Sequence, residues 1–117
     1  MTSLAGAVVL VTGANGGIGT QFVHDALARG AAKVYASART PRDWDDDRIV
    51  PVTLDVTDPA SVEAAAAQAA DVTVLINNAG ALPPGASLLD VEVADIRATM
   101  EVNFFGPLLV ARAFAPA

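Results

Sequence analysis

Short apolar runs alternate along the chain with segments that carry apolar residues at helical spacing. Residues 7–11 form a near-continuous run of β-branched and apolar side chains, which is typical of a strand buried on both faces. Residues 33–37, 49–54 and 72–76 are interpreted as three further strands. The pattern therefore predicts four strands separated by other elements.

Helices are predicted in the intervals between these strands. Apolar residues within 18–27 fall at helical spacing, and Gly30 follows as the kind of residue that commonly ends a helix. Asp58 is a good N-cap and Pro59 suits the first helical position. These two residues predict the start of an alanine-rich helix over residues 61–70.

The remaining segments are predicted from their turn residues and their periodicity. Residues 40–48 are too short and too polar for a helix, and residues 81–87 contain a Pro-Pro-Gly sequence that predicts a loop. Residues 92–104 and 107–115 are predicted helices. A disturbance is expected where they meet, because the Gly-Pro pair at 106–107 lacks one backbone donor.

Strand–helix alternation is typical of α/β proteins with a parallel sheet and right-handed crossovers. By the doubly wound rule the first strand is central and the fourth lies beside it. We therefore expect one domain, residues 1–117, with a Rossmann-like doubly wound parallel sheet of order 3-2-1-4. Helices should cover both faces, and the sheet should be truncated after about four strands. The ligand crevice of such a sheet lies above the carboxyl ends of strands one and four.

Composition narrows the function classes. Hydrophobic residues make up 53% of the chain and charged residues 17%, which fits a folded α/β protein. A net charge of −6 argues against nucleic-acid and anionic-membrane partners. The chain has no apolar stretch of roughly 18 residues, no signal peptide and no cysteine, so we expect a cytoplasmic protein without a membrane span. One histidine and no cysteine predict no metal site.

A glycine-rich loop, residues 12–19 with the sequence TGANGGIG, follows the first strand and opens the first helix. Glycine has no Cβ, so backbone N–H groups can approach an anion, and the helix N-terminus adds partial positive charge. A single glycine loop can also be only a tight turn. Four glycines between a strand and a helix favour a phosphate cradle.

Further motifs occur in register with this loop and make a family resemblance specific. Asp55 follows the third strand, the sequence Asn-Asn-Ala-Gly at 77–80 follows the fourth, and Val-Asn at 102–103 precedes Gly106. In this order, and over essentially the whole chain, they resemble the N-terminal, cofactor-binding half of a short-chain dehydrogenase/reductase. The resemblance implies a nicotinamide dinucleotide cofactor.

The resemblance also implies roles for individual residues. The glycine loop would line the cofactor phosphates, Asp55 and Val56 would border the adenine, and the second loop would pass the adenine-side ribose. Asn103 corresponds to the active-site asparagine of the family, which bends its helix. The candidate cofactor-binding residues are Gly13, Asn15, Gly16, Gly17, Ile18, Gly19, Ser37, Arg39, Asp55, Val56, Asn78, Ala79 and Gly80.

Some of these residues also have a purely structural interpretation. Asn77 and Asn78 can end a strand in a turn, because asparagine tolerates left-handed backbone geometry. Asn103 by itself could be a satisfied polar residue of a helix. His24, between core-facing neighbours, is interpreted as a surface or boundary histidine.

Cofactor choice depends on the end of the second strand. An acid there favours NAD through the ribose 2′-hydroxyl, whereas an arginine pairs with the 2′-phosphate of NADP. Ser37 and Arg39 occupy this position without an acid, so NADP is preferred and NAD stays possible. Gly16 stands where NADP users of the family often have a basic residue, and the acids within 43–47 would repel a phosphate if they folded back.

The catalytic segment of the family, Tyr-x-x-x-Lys with an upstream serine, is not found. Tyr35 is the single tyrosine and Lys33 the single lysine, and both lie in the second predicted strand. The chain is therefore expected to bind cofactor for a carbonyl/alcohol hydride transfer without catalysing it alone. A stand-alone nucleotide-binding module and a self-associating scaffold without activity are the alternatives.

Self-association is the expected protein–protein contact. The predicted strand over 72–76 would have an open apolar edge, and the helices that contain residues 102–115 would lack a packing layer. We expect a homo-oligomer that pairs through this edge or through these helices.

Overall fold

Four parallel strands form one sheet in the computed structural model, which describes residues 4–80 and 92–115. The strands are β1 (Val8–Val11), β2 (Lys33–Ala38), β3 (Ile49–Thr53) and β4 (Val74–Ile76). Their order is β3-β2-β1-β4, which confirms the predicted arrangement. β3 lies at the edge of the sheet, where Pro51 is tolerated although it cannot donate to a neighbouring strand.

Helical segments occupy the predicted intervals. They are α1 (Gly17–Ala28), α2 (Pro59–Gln68), α3 (Val93–Met100), a π-helical turn (Glu101–Phe105) and α4 (Gly106–Phe114). Asp58 caps α2 as expected, because its carboxylate accepts from the N–H of Ala60 at 3.0 Å. No helix in residues 4–80 and 92–115 is both long and apolar enough to cross a membrane.

Most boundaries differ from the sequence prediction by one or two residues, and two of the differences have a local cause. β4 begins at Val74 because the N–H of Val72 closes a turn onto Ala69 O at 3.2 Å. The disturbance expected at the Gly-Pro pair falls one turn earlier, as the π-helical turn in which Gly106 N–H donates to Glu101 O. The loop predicted over 81–87 lies outside the described residues.

Helices cover both faces of the sheet, as the alternation predicts. On one face Leu10 and Val52 pack with Val62 of α2 and Val110 of α4. On the other face, apolar side chains of β1 and β2 pack with α1. Residues 9–11 of β1 are fully buried, so both faces of the central strand exclude water. Each such side chain contributes about 1.5–3 kcal/mol relative to exposure.

Candidate cofactor-binding site

A cavity of about 740 Å³ opens at the carboxyl edge of the sheet, where the doubly wound topology places a ligand. All four strands deliver residues to it, and α3 closes one side. Eight of the thirteen predicted cofactor residues line this cavity: Gly13, Asn15, Gly16, Arg39, Asp55, Val56, Ala79 and Gly80. The structure therefore brings together residues that are up to 67 positions apart in the sequence.

The glycine loop depends on the absence of two side chains. Gly13 has φ +65°, which favours glycine, and a Cβ at Gly19 would overlap the Gly13 carbonyl oxygen. A Cβ at Gly17 would meet nothing within 4 Å. No side chain caps the start of α1, so its first N–H groups stay directed outward for an anion.

Thr12 connects the glycine loop to the loop that follows β4. Its buried hydroxyl accepts from the N–H groups of Asn78 and Ala79, both at 2.9 Å. The Asn78 amide in turn donates to Gly13 O at 3.3 Å. Asn78 is thus bonded to the glycine loop and is not among the residues that line the cavity. Its side chain thus connects the glycine loop to the loop after β4.

Asp55 presents an ionised carboxylate to the cavity. Its Oδ1 accepts from Thr57 N–H at 2.9 Å and from Thr57 Oγ1 at 2.6 Å. These two bonds lower the pKa of Asp55, helped weakly by the Arg39 charge and opposed by partial burial. A carboxylate held in this way is an acceptor for a ligand N–H at neutral pH.

The two residues at the end of β2 that were predicted to select the cofactor have different environments. Ser37 is buried, and its hydroxyl donates to Val11 O at 2.9 Å, so it joins β2 to β1 and does not line the cavity. Arg39 is exposed and does line it. Arg39 makes no hydrogen bond or ion pair with any residue that the structure describes, so its guanidinium donors are available.

The acidic residues after Arg39 do not fold back into the cavity. None of residues 43 and 45–47 belongs to its lining among the residues described. Asp46 is paired instead with Arg48 at 2.7 Å, and this contact lowers the pKa of Asp46 to about 2. The sequence suggested that these acids could repel the 2′-phosphate of NADP. In the structure they lie outside the cavity lining, so they are not a close source of such repulsion.

Asn103 lies in the π-helical turn beside the second loop. A Cβ at Gly80 would come within 3.4 Å of Asn103 Oδ1, so the amide oxygen faces that loop. Gly106 packs so tightly on Val56 that an added Cβ would lie 2.7 Å from Val56 Cγ2. Asn77 also donates to Pro107 O at 3.2 Å. These contacts fix the irregular helix against the cavity.

Three predicted residues of the first helical turn, Gly17, Ile18 and Gly19, are not among the residues that line the cavity. Ile18 is 71% exposed, and Gly19 is buried against the Gly13 carbonyl group. Gly17 is exposed and open to solvent. Their contact with a cofactor stays a prediction.

The short chain dehydrogenase family model matches residues 7–117. This chain belongs to the short-chain dehydrogenase family. Among its relatives, the short chain dehydrogenase tazN of Aspergillus terreus is 33% identical, over 99% of this chain and 28% of the relative. The 1-deoxy-11-beta-hydroxypentalenate dehydrogenase of Streptomyces arenae is 38% identical, over 96% of this chain and 36% of the relative. The chain thus spans about a third of the length of these two relatives.

Solved structures of the family share the fold. A short chain dehydrogenase from Burkholderia cenocepacia in complex with NADP superposes with a TM-score of 0.87 and 43% identity, over 98% of this chain and 49% of that one. An NADPH-bound carbonyl reductase from chicken fatty liver gives a TM-score of 0.87 and 35% identity, over 99% and 49%. This short-chain dehydrogenase chain spans about half of each.

Sequence reasoning missed one wall of the cavity. Asp95, Ala98 and Thr99 of α3 line it without any local motif, and Val102, which belongs to the Val-Asn motif, lines it from the π-helical turn without having been predicted as a contact. Thr57 was also missed, although it stands two residues after Asp55 and could have been found as an Asx-type donor. The α3 residues are brought in by helix packing alone.

The single tyrosine and single lysine of the chain form contacts away from the cavity. Asp71 accepts from Tyr35 OH at 2.7 Å and pairs with Lys33 Nζ at 2.6 Å. The bond to Lys33, followed by the bond to Tyr35, lowers the pKa of Asp71. Lys33 starts β2, at the amino end of a parallel strand, whereas the cavity lies at the carboxyl ends. These two residues hold β2 to the segment before β4.

Proposed function

We propose that this chain is the cofactor-binding part, a single domain, of an NADP-dependent cytoplasmic short-chain oxidoreductase. The reaction would transfer hydride between the nicotinamide and a carbonyl or alcohol substrate. The observation that carries the proposal is Arg39 at the cavity, free of ion pairs within the described residues, at a strand end without an acid. An arginine in this place pairs with a 2′-phosphate through charge-assisted hydrogen bonds.

The residues present fit a dinucleotide. The open space beside the glycine loop, where no side chains stand, and the uncapped start of α1 suit the pyrophosphate. The ionised Asp55 carboxylate would accept from the exocyclic amine of the adenine, and Arg39 would take the 2′-phosphate. When bound, the cofactor supplies or accepts the hydride. The residues of this chain bind and orient it.

Asn103 is the residue that the family resemblance assigns to the active site. We propose that the π-helical turn serves to direct its amide toward the second loop, where Oδ1 faces Gly80. A π-helical turn inserts one extra residue into a helix and is frequent at functional sites. Asn103 would then act beside the bound cofactor as a positioning group.

Binding of NADPH is the direct test of the proposed function. Calorimetric titration, or quenching of the single Trp44, should show saturable NADPH binding with Kd in roughly the micromolar to millimolar range. NADH should bind at least about ten times more weakly, because one phosphate contact is lost. A preference for NADH would overturn the assignment of NADP, and no binding of either would favour a scaffold without activity.

The helices after β4 support the proposed self-association. Val93, Ile96, Met100, Phe104 and Leu108 recur at helical spacing and are all exposed, with Val93 64% and Leu108 57% exposed. We call these five exposed side chains the apolar stripe, and exposed apolar surface on successive helical turns is a candidate interaction site. We propose that the same stripe of a second copy covers it, because a twofold axis pairs a helix face with itself. This assigns the homo-oligomer to the helices and not to the β4 edge.

Substitution of Met100 tests this interface. Met100→Glu places a charge in the middle of the stripe, and sedimentation at tens of micromolar should shift from dimer to monomer. Ala64→Glu, on an exposed position of α2, adds the same charge elsewhere and should leave the dimer intact. A monomeric wild-type chain, or equal effects of the two variants, would contradict the interface.

A further inference from the structure

The segment that follows β2 is bonded to the glycine loop at its first residues. Asn15 Nδ2 donates to Thr40 O at 2.8 Å, across 25 positions of sequence. One residue earlier in the loop, Ala14 N–H donates to Ser37 O at 3.0 Å. Arg39 lies between these two attachment points, so the backbone on both sides of it is fixed to the loop that begins the phosphate cradle.

The same segment continues along α1 through two further contacts. Arg42 Nη2 lies 3.4 Å from Thr20 Oγ1, and the Arg42 guanidinium stacks over the Trp44 ring at 3.8 Å. The Trp44 ring meets His24 edge-on at 5.9 Å between ring centres and packs on the apolar cluster beside α1. We name residues 39–44 the β2 strap; its far end is thus held by packing against α1.

The near end of the β2 strap depends on a single side chain. Arg39 itself makes no hydrogen bond or ion pair with the described residues, and its charge only weakly influences the Asp55 carboxylate, so no direct bond of its own fixes its direction. The Asn15 amide donates to the carbonyl of Thr40, the residue directly after Arg39. Asn15 is exposed, so this bond contributes little to the core and much to the position of the strap.

We propose that Asn15 is a positioning residue for cofactor selection: by holding the Thr40 carbonyl, it keeps the Arg39 guanidinium over the cavity, where a 2′-phosphate would bind. The proposal rests on the proposed NADP function and adds to it a residue outside the β2 segment. Its physical basis is preorganisation, because an arginine whose backbone is already fixed loses less conformational freedom on binding. Selection would thus depend on a link between the two loops as well as on Arg39.

Asn15 also lines the cavity, so a direct contact with the ligand must be separated from a positioning effect. A positioning effect acts through Arg39 and disappears when Arg39 is removed. A direct contact persists in the absence of Arg39. The two cases therefore differ in whether the effects of Asn15→Ala and Arg39→Ala add.

The experiment measures the affinity of the full chain for two probes, adenosine 2′,5′-bisphosphate and AMP, which differ only in the 2′-phosphate. Wild type, Asn15→Ala, Arg39→Ala and the double variant are titrated by calorimetry. Asn15→Ala should weaken the bisphosphate roughly three- to tenfold, the range for one lost hydrogen bond, and change AMP by less than about twofold. In the Arg39→Ala background, Asn15→Ala should have no further effect on the bisphosphate.

Gln21→Ala is the matched control, because Gln21 also donates one exposed amide bond, to Asp25 Oδ1 at 3.0 Å within α1. It should leave both affinities and the thermal unfolding midpoint unchanged, and Asn15→Ala should leave that midpoint within a few degrees. Equal losses for both probes, or additive losses with Arg39→Ala, would overturn the positioning role. A wild-type chain that does not distinguish the probes would instead refute the NADP assignment on which the role rests.

Discussion

Gly19→Ala should abolish dinucleotide binding and destabilise the fold, whereas Gly17→Ala should weaken binding without loss of stability. A Cβ at Gly19 would overlap the Gly13 carbonyl oxygen, so the cradle backbone must shift. Overpacking against backbone costs about 1–3 kcal/mol or more. A Cβ at Gly17 meets nothing within 4 Å, so it should not lower the stability of the fold. It should interfere only with a ligand phosphate that approaches this position.

Thermal unfolding followed by circular dichroism, together with NADPH titration, separates the two glycines. Gly17→Ala should unfold at or slightly above the wild-type temperature, because alanine is the better helix former at the start of α1 by up to about 1 kcal/mol. Its NADPH affinity should fall by at least about tenfold, which corresponds to roughly 1.4 kcal/mol. Unchanged NADPH affinity in a stable Gly17→Ala variant would refute the phosphate cradle.

Arg39→Ala should reverse or cancel the cofactor preference. Charge-assisted hydrogen bonds contribute about 1.5–3 kcal/mol, so the affinity for NADPH should fall roughly 10- to 100-fold. The affinity for NADH should stay the same or rise slightly, because Asp55 and the glycine loop, which NADH would also use, are unchanged. Competitive titration of both cofactors against the same variant gives the ratio directly.

Arg112→Ala provides the control for net charge. Arg112 is an exposed arginine of α4 that is absent from the cavity lining, so its removal changes the total charge by the same amount. Neither cofactor should respond to it beyond the weak, salt-dependent effect of a distant charge. If Arg39→Ala and Arg112→Ala lowered NADPH affinity alike, Arg39 would contribute only long-range attraction. The main observation that supports the NADP assignment would then be lost.

The two predictions test contacts with different phosphate groups of the same cofactor. The glycine pair reports on the pyrophosphate, which NAD and NADP share. Arg39 reports on the 2′-phosphate, which only NADP has. A chain that responds at Gly17 and not at Arg39 would be a nicotinamide dinucleotide protein with another selectivity, whereas the opposite response would indicate a phosphate site without a dinucleotide.

Local sequence determined the elements and their order. The apolar run before TGANGGIG, the Asp58-Pro59 start of α2 and the strand–helix alternation each act over a few residues. Right-handed crossovers then leave few arrangements of four parallel strands, so the order 3-2-1-4 followed from the pattern and is confirmed. The carboxyl ends of the strands meet at one edge for the same reason, which is why eight predicted residues share one cavity.

Tertiary structure decided what each side chain does at that edge. Ser37 and Arg39 are both candidate cofactor contacts in the sequence, but the Ser37 hydroxyl is bonded to Val11 O and only Arg39 lines the cavity. The α3 wall and the Asn15–Thr40 bond are also invisible in the sequence. Hydrogen-bond partners and packed helix faces are set by distances between residues far apart in the chain, whereas periodicity and capping act between neighbours. The sequence alone therefore determined the fold and the edge that holds the site, and only the folded chain decided which side chains face the cavity.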